Sequence, residues 1–430
     1  MIVSYHKYTT KKASFQRENA FFLVFHSSNF CMLFRARVGN FDRHPFCEKL
    51  HFGNMKTHTK SFNFIDLFSG CGGLSCGLEM AGHRCLLGVD ASKEAIQSFA
   101  ANHHEAAVYL GDIKKLSEKK LKELLRGQKV DMVVGGPPCQ GFSTVGKGAV
   151  DDVRNQLFKE FVRIVKATEP KVILFENVTG LVAKKNQAIL KKIFQQFEKL
   201  GYNMDARVLS AEEYGVPEKR RRTIIMGVRG GECQFPLVTH GPRVNKKVKT
   251  VKEAFKNLKA SNGKIYNHDV TLAQIKKVED RERLKFIPAG RGIRYEEDEV
   301  EFLPKKLRFN VEWNKLRENR FRQTRLQRLP LNEPSPTILT ARTSYYHPIE
   351  ARYLTPREAA ACQSFPNDFI FHGSQTAIFR QIGNAVPPLL AEALGQVIKN
   401  IEFKKGKFKK KTSETVVGKN AFHYHEPTYL

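Results

Sequence analysis

The chain reads as an α/β protein with a mostly parallel, Rossmann-like sheet, helices on both faces, and a smaller second domain entering late in the sequence. Three observations predict this. Short apolar runs alternate with amphipathic stretches from Phe64 to Val228, the βαβα rhythm of a parallel sheet. A glycine-rich turn, Phe68-Ser69-Gly70-Cys71-Gly72-Gly73, follows the first apolar run. The rhythm then breaks after about Gly230 and returns only near Thr355.

The elements follow in order. Strands are predicted over 64–68, 85–90, 107–110, 130–134, 171–175 and 223–228, with helices over 74–81, 116–125, 157–168 and 188–200. Ser92 suits the cap of a further helix running to about Ala101. Later, Thr355 with Pro356 and Glu358 spells a helix start with a capping box. A last helix follows Pro387-Pro388 and runs to about Asn400. Open parallel sheets bind ligands at the carboxyl ends of their strands. Ser69-Gly70, Asp90, Asp112, Pro137-Pro138-Cys139 and Glu176-Asn177 all fall at such ends.

Composition narrows the setting. The 430 residues are 41% hydrophobic, enough for a substantial core, and no apolar run reaches membrane-spanning length. The formal charge is +29, from 72 Lys+Arg against 43 Asp+Glu, which points to a polyanionic partner such as nucleic acid. The eight cysteines form no CxxC pair and no zinc-finger spacing, so neither a metal site nor a disulfide framework is expected. Most are expected to be buried thiols, and a soluble cytoplasmic protein follows.

Residues 1–54 are rich in Phe, His and Arg without a sustained period, and the strong pattern begins just after Met55. They are expected to be a non-native or disordered extension. Residues 55–230 are then the first part of the catalytic domain, 231–340 the smaller domain, 341–402 a return to the catalytic domain, and 403–430 a basic tail.

Four constellations carry chemistry. The glycine turn lacks the third glycine of a dinucleotide fingerprint, since Ser75 stands there. Asp90 can accept from ribose hydroxyls and Asp112 from an adenine amine. The set suits an adenosine cofactor without a pyrophosphate, although an NAD enzyme or a structural turn would also fit the turn alone. Next, Gly135-Gly136-Pro137-Pro138-Cys139-Gln140-Gly141-Phe142-Ser143 follows a buried strand. Two prolines stiffen the backbone ahead of the cysteine, so Cys139 reads as a nucleophile; the alternative is an inert buried thiol. Third, Glu176 faces the same crevice. Partial desolvation would raise its pKa and let it give a proton to a base, whereas a plain turn-capping carboxylate would do neither. Finally, Arg220 and Arg222 share one face of the run Lys219–Arg222 and both can reach an anionic or carbonyl-bearing substrate; a solvated charge run is the alternative.

With these residues in order, the chain resembles the cytosine-C5 DNA methyltransferases, of the bacterial, Dcm-like, restriction–modification type. The resemblance covers most of residues 62–400 and rests on six ordered pieces. They are Asp66–Gly73, Pro137–Gln140, Glu176–Val178, the Arg220/Arg222 pair, Leu354–Ala359 and Gln381–Pro388. It implies an S-adenosylmethionine-dependent fold with a target-recognition domain in 231–340. It makes Cys139 the nucleophile, Glu176 the acid near the base, and Arg222 a support for the base, with Arg220 beside it. Phe68, Asp90, Asp112, Pro138, Leu157, Asn384 and Val386 would line the cofactor site. Asp66, Ser69, Gly70, Gly72, Gly73, Leu74, Ala91, Ile113 and Ala385 would join them. Gln140, Ser143, Thr340, Arg342, Thr343 and Tyr345 are candidates for DNA contact.

The expected substrate is double-stranded DNA, and the expected form is a monomer associated with a bacterial nucleoid. A cognate restriction endonuclease would act on the same site without necessarily touching the chain. Two departures stand out: Glu218 occupies a place the family usually gives to glutamine, and Asp90 one it often gives to Glu. A tRNA cytosine methyltransferase on the same scaffold is the main rival, but the Cys-Phe-Thr element of that branch is absent from residues 230–340. A non-catalytic DNA-binding relative should have lost Cys139, Glu176 or the turn. An NAD oxidoreductase explains neither the Pro-Pro-Cys turn nor the arginine pair.

Overall fold

The computed structural model describes residues 60–137 and 153–404, with side chains from Leu157 onward in the second stretch, and the backbone of 20–27 and 30–37. Residues 1–58 and 59–430 are two separate units. Within the first, Ala20–Ser27 and Phe30–Arg37 pair as an antiparallel hairpin. The expected extension thus contains regular backbone structure where no period was visible.

The second unit is built on a seven-stranded sheet. Its elements run β1 (Asn63–Leu67), α1 (Gly73–Met80), β2 (Arg84–Asp90), α2 (Lys93–Asn102), β3 (Ala107–Leu110), α3 (Glu118–Leu125) and β4 (Met132–Gly135). Then come α4 (Val153–Thr168), β5 (Val172–Asn177), α5 (Gln187–Glu198), β6 (Tyr202–Ser210) and β7 (Arg221–Arg229). The strand order is β3-β2-β1-β4-β5-β7-β6. Five strands run parallel, and β7 is antiparallel to both β5 and β6. This is the expected fold class, with one strand, β6, that the sequence reading lacked.

Alternation along the central strands sorts their side chains onto two faces. Phe64, Met132, Leu174 and Met226 pack one face against Leu78, Leu390, Leu394 and Ile398. Ile65, Val133, Ile173 and Ile225 pack the other against Phe161, Val165, Ile193 and Phe197. The strands are apolar on both sides because helices cover both sides.

After β7 come α6 (Val251–Phe255), α7 (Val278–Leu284), β8 (Ile293–Tyr295), α8 (Glu296–Phe302) and β9 (Arg320–Arg325), with β8 and β9 antiparallel. A small apolar cluster forms here around Leu284, Ile293, Trp313, Phe321 and Tyr346. Buried Glu299 organises it, accepting from Trp313 Nε1 at 3.0 Å and from the Phe309 amide. The chain returns through α9 (Pro356–Cys362), α10 (Gln375–Asn384) and α11 (Pro388–Lys399). The Thr355 capping box is present as the sequence predicts. Buried Arg352 and Glu358 pair at 2.7 and 2.8 Å beside it. Helix α11 lies on α1 so closely that a Cβ at Gly77 would stand 2.1 Å from the Pro388 carbonyl oxygen. The last helix therefore closes over the first. Among the described residues no helix is long and apolar enough to cross a membrane.

At the end of β4 the approach to β1 is equally tight. A Cβ at Gly135 would meet the Leu67 carbonyl oxygen at 2.0 Å. Gly135→Ala must push the two central strands apart, and the expected cost is about 1–3 kcal/mol. Thermal unfolding should show a clear drop in Tm; an unchanged Tm would contradict the close approach.

Candidate active site

The glycine turn is held in an unusual backbone shape. Phe68, Gly70 and Gly72 have φ of 60°, 56° and 96°. For Phe68 this is a sparsely populated region that the surroundings must enforce. The enforcement is visible: Ser69 N donates to the Val89 carbonyl at 3.0 Å, and Gly70 N donates to Asp90 Oδ2 at 2.9 Å. Asp90 Oδ1 accepts from Ser92 N at 2.8 Å. Asp90 therefore ties the turn to the start of α2, with Ala91 exposed beside it. Asp112, exposed beyond β3, accepts from Lys114 N at 3.0 Å, and Gly111 N bonds the Asp90 carbonyl at 3.0 Å.

The return segment completes this end of the sheet. A Cβ at Gly73 would lie 2.5 Å from the Val386 carbonyl oxygen, so the turn and the Asn384-Ala385-Val386 stretch are in contact. Asn384 is exposed, Ala385 half-buried, and Val386 buried in the core. Leu157, on α4, is half-buried against the second face of the sheet.

Besides Ser69 and Val386, three more expected cofactor residues have buried side chains. Leu74 and Ile113 are 5% and 3% exposed with their side chains in the two cores, so only their backbone can meet a ligand. Asp66 is 1% exposed, and its Oδ2 accepts from Ser75 Oγ at 2.7 Å. It is a buried carboxyl beneath the turn and does not line a cofactor surface. Burial pushes it up to about 7, partly offset by Ser75 and by His103. His103 in turn pairs with Glu79 at 2.6 Å and wedges its Nε2 against Gly72, where a Cβ would stand 2.2 Å away. No sequence signal marked His103, since a lone histidine on a helix end is ordinarily a packing residue.

At the neighbouring strand ends, Glu176 is the centre. Its Oε1 lies 2.6 Å from Arg222 Nε, with 13% of its side chain exposed. Its Oε2 would be 3.6 Å from a Cβ at Gly136, so the carboxylate sits beside the first residues of the Gly-Pro-Pro-Cys turn. Asn177, buried, donates from Nδ2 to the Pro137 carbonyl at 3.1 Å and fixes that turn to β5. The sequence showed Asn177 in a motif but gave it no role. Burial raises the Glu176 carboxyl above the usual range, against the pull of Arg222 and then Arg220. Pro138, Cys139, Gln140 and Ser143 lie outside the described residues. The five described cysteines are all free: Cys71, Cys76, Cys85 and Cys362 buried and Cys233 partly so. Burial pushes each thiol up, Cys71 and Cys233 to about 12.

Arg220 does not reach a substrate. It is fully buried and donates from Nη2 to the carbonyls of Gly383 and Ala385 at 2.8 and 2.9 Å. The expectation that both arginines can reach a substrate is corrected for Arg220, which braces the return segment, while Arg222 pairs with Glu176. Of the candidate DNA contacts, Thr340 and Thr343 are exposed. Arg342 is held by the Leu272 carbonyl at 3.3 Å and the Tyr353 ring, and half-buried Tyr345 packs on the α9–α10 cluster. Arg322 and Gln323 stand exposed on β9, and neither was singled out in the sequence. A cleft of about 470 Å³ opens at Lys219, with Arg291, Gln327 and Glu333 among its lining residues.

A cofactor with a ribose and an adenine fits the turn. Ser69 Oγ is buried with no hydrogen-bond partner, a Cβ at Gly70 would meet nothing within 4 Å, and acceptors wait at Asp90 and Asp112. Together with a desolvated acid beside a stiff turn, this defines the class as a nucleotide-cofactor-dependent group-transfer enzyme of the methyltransferase fold. The sequence profile of C-5 cytosine-specific DNA methylases matches residues 62–400. The chain is 37% identical over 361 residues to the type II methyltransferase M1.HphI of Haemophilus parahaemolyticus, covering 82% of this chain and 91% of that one. It is 31% identical to the type II methyltransferase M.DdeI of Desulfomicrobium norvegicum, over 78% of this chain and 88% of that one. A candidate DNA modification methyltransferase encoded within an E. coli prophage superposes with a TM-score of 0.60 at 27% identity, covering 79% of this chain and 99% of that one. Spodoptera frugiperda DNMT2 shares the fold alone, with a TM-score of 0.53 at 18% identity.

The chain belongs to the C-5 cytosine-specific DNA methylase family. It is a DNA (cytosine-5)-methyltransferase that uses S-adenosylmethionine.

The buried Asp66 gives a pH prediction. Its folded pKa is raised, so the folded chain holds a proton that the unfolded chain has released between roughly pH 4 and pH 7. Stability contributed by that proton is lost as pH rises through 7. Asp66→Asn removes the titration while keeping an acceptor for Ser75. The variant's Tm should gain on wild type between pH 5 and pH 8, whereas parallel curves would show that Asp66 does not titrate there.

Proposed function

We propose that Cys139 is the nucleophile, that Glu176 is the acid that serves the cytosine ring, and that Arg222 holds Glu176 in place. The observation that carries this reading is Glu176 itself. It is desolvated, aimed by Arg222 at 2.6 Å, and adjacent to the Gly136-Pro137 start of the cysteine turn.

The chemistry follows from the ring. Cytosine C5 is a poor nucleophile. Addition of the Cys139 thiolate to C6 forms an S–C6 bond and pushes the ring electrons toward C5 and N3. A proton from Glu176 at N3 offsets the charge that develops there. Bound S-adenosylmethionine supplies an electrophilic methyl group. Once C5 carries that methyl, transfer of the C5 proton to water restores the C5–C6 double bond and expels the thiolate, and the N3 proton returns to Glu176. Glu176 is suited to its part because burial favours its neutral form. Asn177 keeps the turn in register through the Pro137 carbonyl. A paired base cannot enter such a crevice, so the target cytosine must be flipped out.

We further infer that residues 231–340 form the target-recognition domain. The formal charge of +29 supports a grip on phosphates. The exposed Arg322 and Gln323 are of the residue types that read guanine, by two donors, and adenine, by a donor and an acceptor, in the major groove. The type II relatives support a restriction–modification setting, with a cognate endonuclease acting on the same sequence. A monomer acting in the bacterial cytoplasm fits that setting.

Bisulfite sequencing of DNA from cells that express the chain tests activity and target together. Cytosines should escape conversion at one short recurring sequence; uniform conversion would overturn the reading. Cys139→Ala should abolish methyl transfer while leaving DNA binding intact, measured by tritium incorporation beside a gel shift. Glu176→Gln should lower kcat by about 10²–10⁴-fold with little change in affinity for S-adenosylmethionine. Turnover at the wild-type rate in either variant would exclude the role assigned to that residue.

A further inference from the structure

Behind Arg222 lies a buried arrangement that the methyl-transfer scheme leaves unused. Glu218 is 0% exposed. Its Oε1 accepts from the Ile338 amide at 2.6 Å and lies 3.7 Å from Arg220 Nη1. Its Oε2 has no hydrogen-bond partner. The two-residue strand Glu218–Lys219 pairs in parallel with Ser335–Pro336, and Thr337 Oγ1 donates to the Lys219 carbonyl at 2.8 Å. Arg220 binds the Gly383 and Ala385 carbonyls, and Arg222 binds Glu176.

Four charged groups thus lie together in low-dielectric surroundings, Arg220 and Arg222 against Glu176 and Glu218. With both carboxylates ionised the set is neutral. The other titratable groups that act on Glu218 are Glu212 on the turn 211–214, Tyr345, and Cys362 on α9. None of the three is a cation that could replace Arg220 or Arg222 as its partner.

We propose that Glu218 is the counter-charge of Arg220, and that by cancelling its field Glu218 sets how firmly the arginine pair holds Glu176 as an anion. It is a positioning residue for the acid, a role that rests on the reading of Glu176 given above. An isolated guanidinium acts strongly over several ångströms in a desolvated site, while a close ion pair presents a much weaker field. Without the Glu218 charge, Arg220 would draw Glu176 toward its ionised form and leave less of the proton donor. The two carboxylates also compete: a proton on Glu218 unmasks Arg220 and makes a proton on Glu176 harder to hold. Burial pushes Glu218 up to about 7, which brings this competition into the working pH range.

Glu218→Gln tests it, since the amide keeps the size of the side chain and an acceptor for the Ile338 amide. The full-length protein would be labelled with ¹³C-glutamate and titrated by NMR, with the Glu176 signal assigned from Glu176→Gln. In Glu218→Gln the Glu176 midpoint should fall by about one pH unit, and the alkaline limb of the kcat profile should move with it. Glu218→Asp, which keeps the charge, should stay nearer wild type. An unmoved Glu176 midpoint in Glu218→Gln overturns the proposal. A midpoint that falls while the rate profile stays fixed supports the counter-charge role and overturns Glu176 as the acid instead. Wild type alone gives a second arm, free of any folding defect. There the two carboxylates should titrate as an interacting pair, and two independent single-site curves would overturn the coupling.

Discussion

One guanidinium joins the parts of this protein that the sequence keeps far apart. Arg220 is buried where the strand carrying Arg222, the segment around Ile338, and the end of α10 converge. Its bonds to Gly383 and Ala385 hold the return segment against the sheet, and the adjoining Asn384–Val386 stretch closes on the glycine turn. A buried cation is tolerated only when its surroundings answer it. Here two carbonyls accept from Nη2 and Glu218 supplies a counter-charge at 3.7 Å, while Nε and Nη1 have no hydrogen-bond partner among the described residues. If that contact were lost, the glycine turn and Glu176 would no longer be held by one framework.

The direction of the strands explains why the chemistry gathers at one edge. Parallel β1, β2, β4 and β5 deliver the glycine turn, Asp90, Gly136-Pro137 and Glu176 at their carboxyl ends, as an open sheet must. Arg222 arrives differently. It lies at the start of β7, and only because β7 runs antiparallel to β5 does that start stand beside the end of β5, with Thr223 opposite Asn177. One reversed strand therefore brings a cation to an edge that otherwise collects turns and carboxylates. It is also the strand next to Arg220, so the partner of Glu176 and the brace of the return segment lie two residues apart.

Much of this was legible in the residues. The central strands announce themselves as short apolar runs because both faces are covered, and the Thr355 cap is local chemistry that needs no tertiary context. Glu176 could be singled out because a carboxylate at a strand end beside a proline-stiffened turn has few structural uses. Other features were hidden for physical reasons. Strand β6 is an edge strand that is mostly only partly buried and carries Asn203, Asp205 and Arg207, so it lacks the apolar run that marks its neighbours. Asp66 reads like part of a ligand turn, and only the packing of α1 shows Ser75 bonded to it from within. Lys219–Arg222 looks like a solvated charge run, yet the protein encloses one member and exposes its neighbours. Burial of a charge depends on partners more than a hundred residues away, such as Ile338 and Gly383, and no local pattern encodes them.

The proposed reaction uses a sulfur that bonds to the ring and later lets go, and a single substituted base can catch it in between. DNA carrying the chain's target sequence with 5-fluorocytosine at the acceptor position cannot release a proton from C5 after methylation, so the S–C6 bond should persist. Incubation of that DNA with the protein and S-adenosylmethionine, followed by denaturation, proteolysis and mass spectrometry, should find the methylated base attached to the peptide that contains Cys139. Full methylation of ordinary substrate with no such adduct, or an adduct on a different cysteine, would contradict the account.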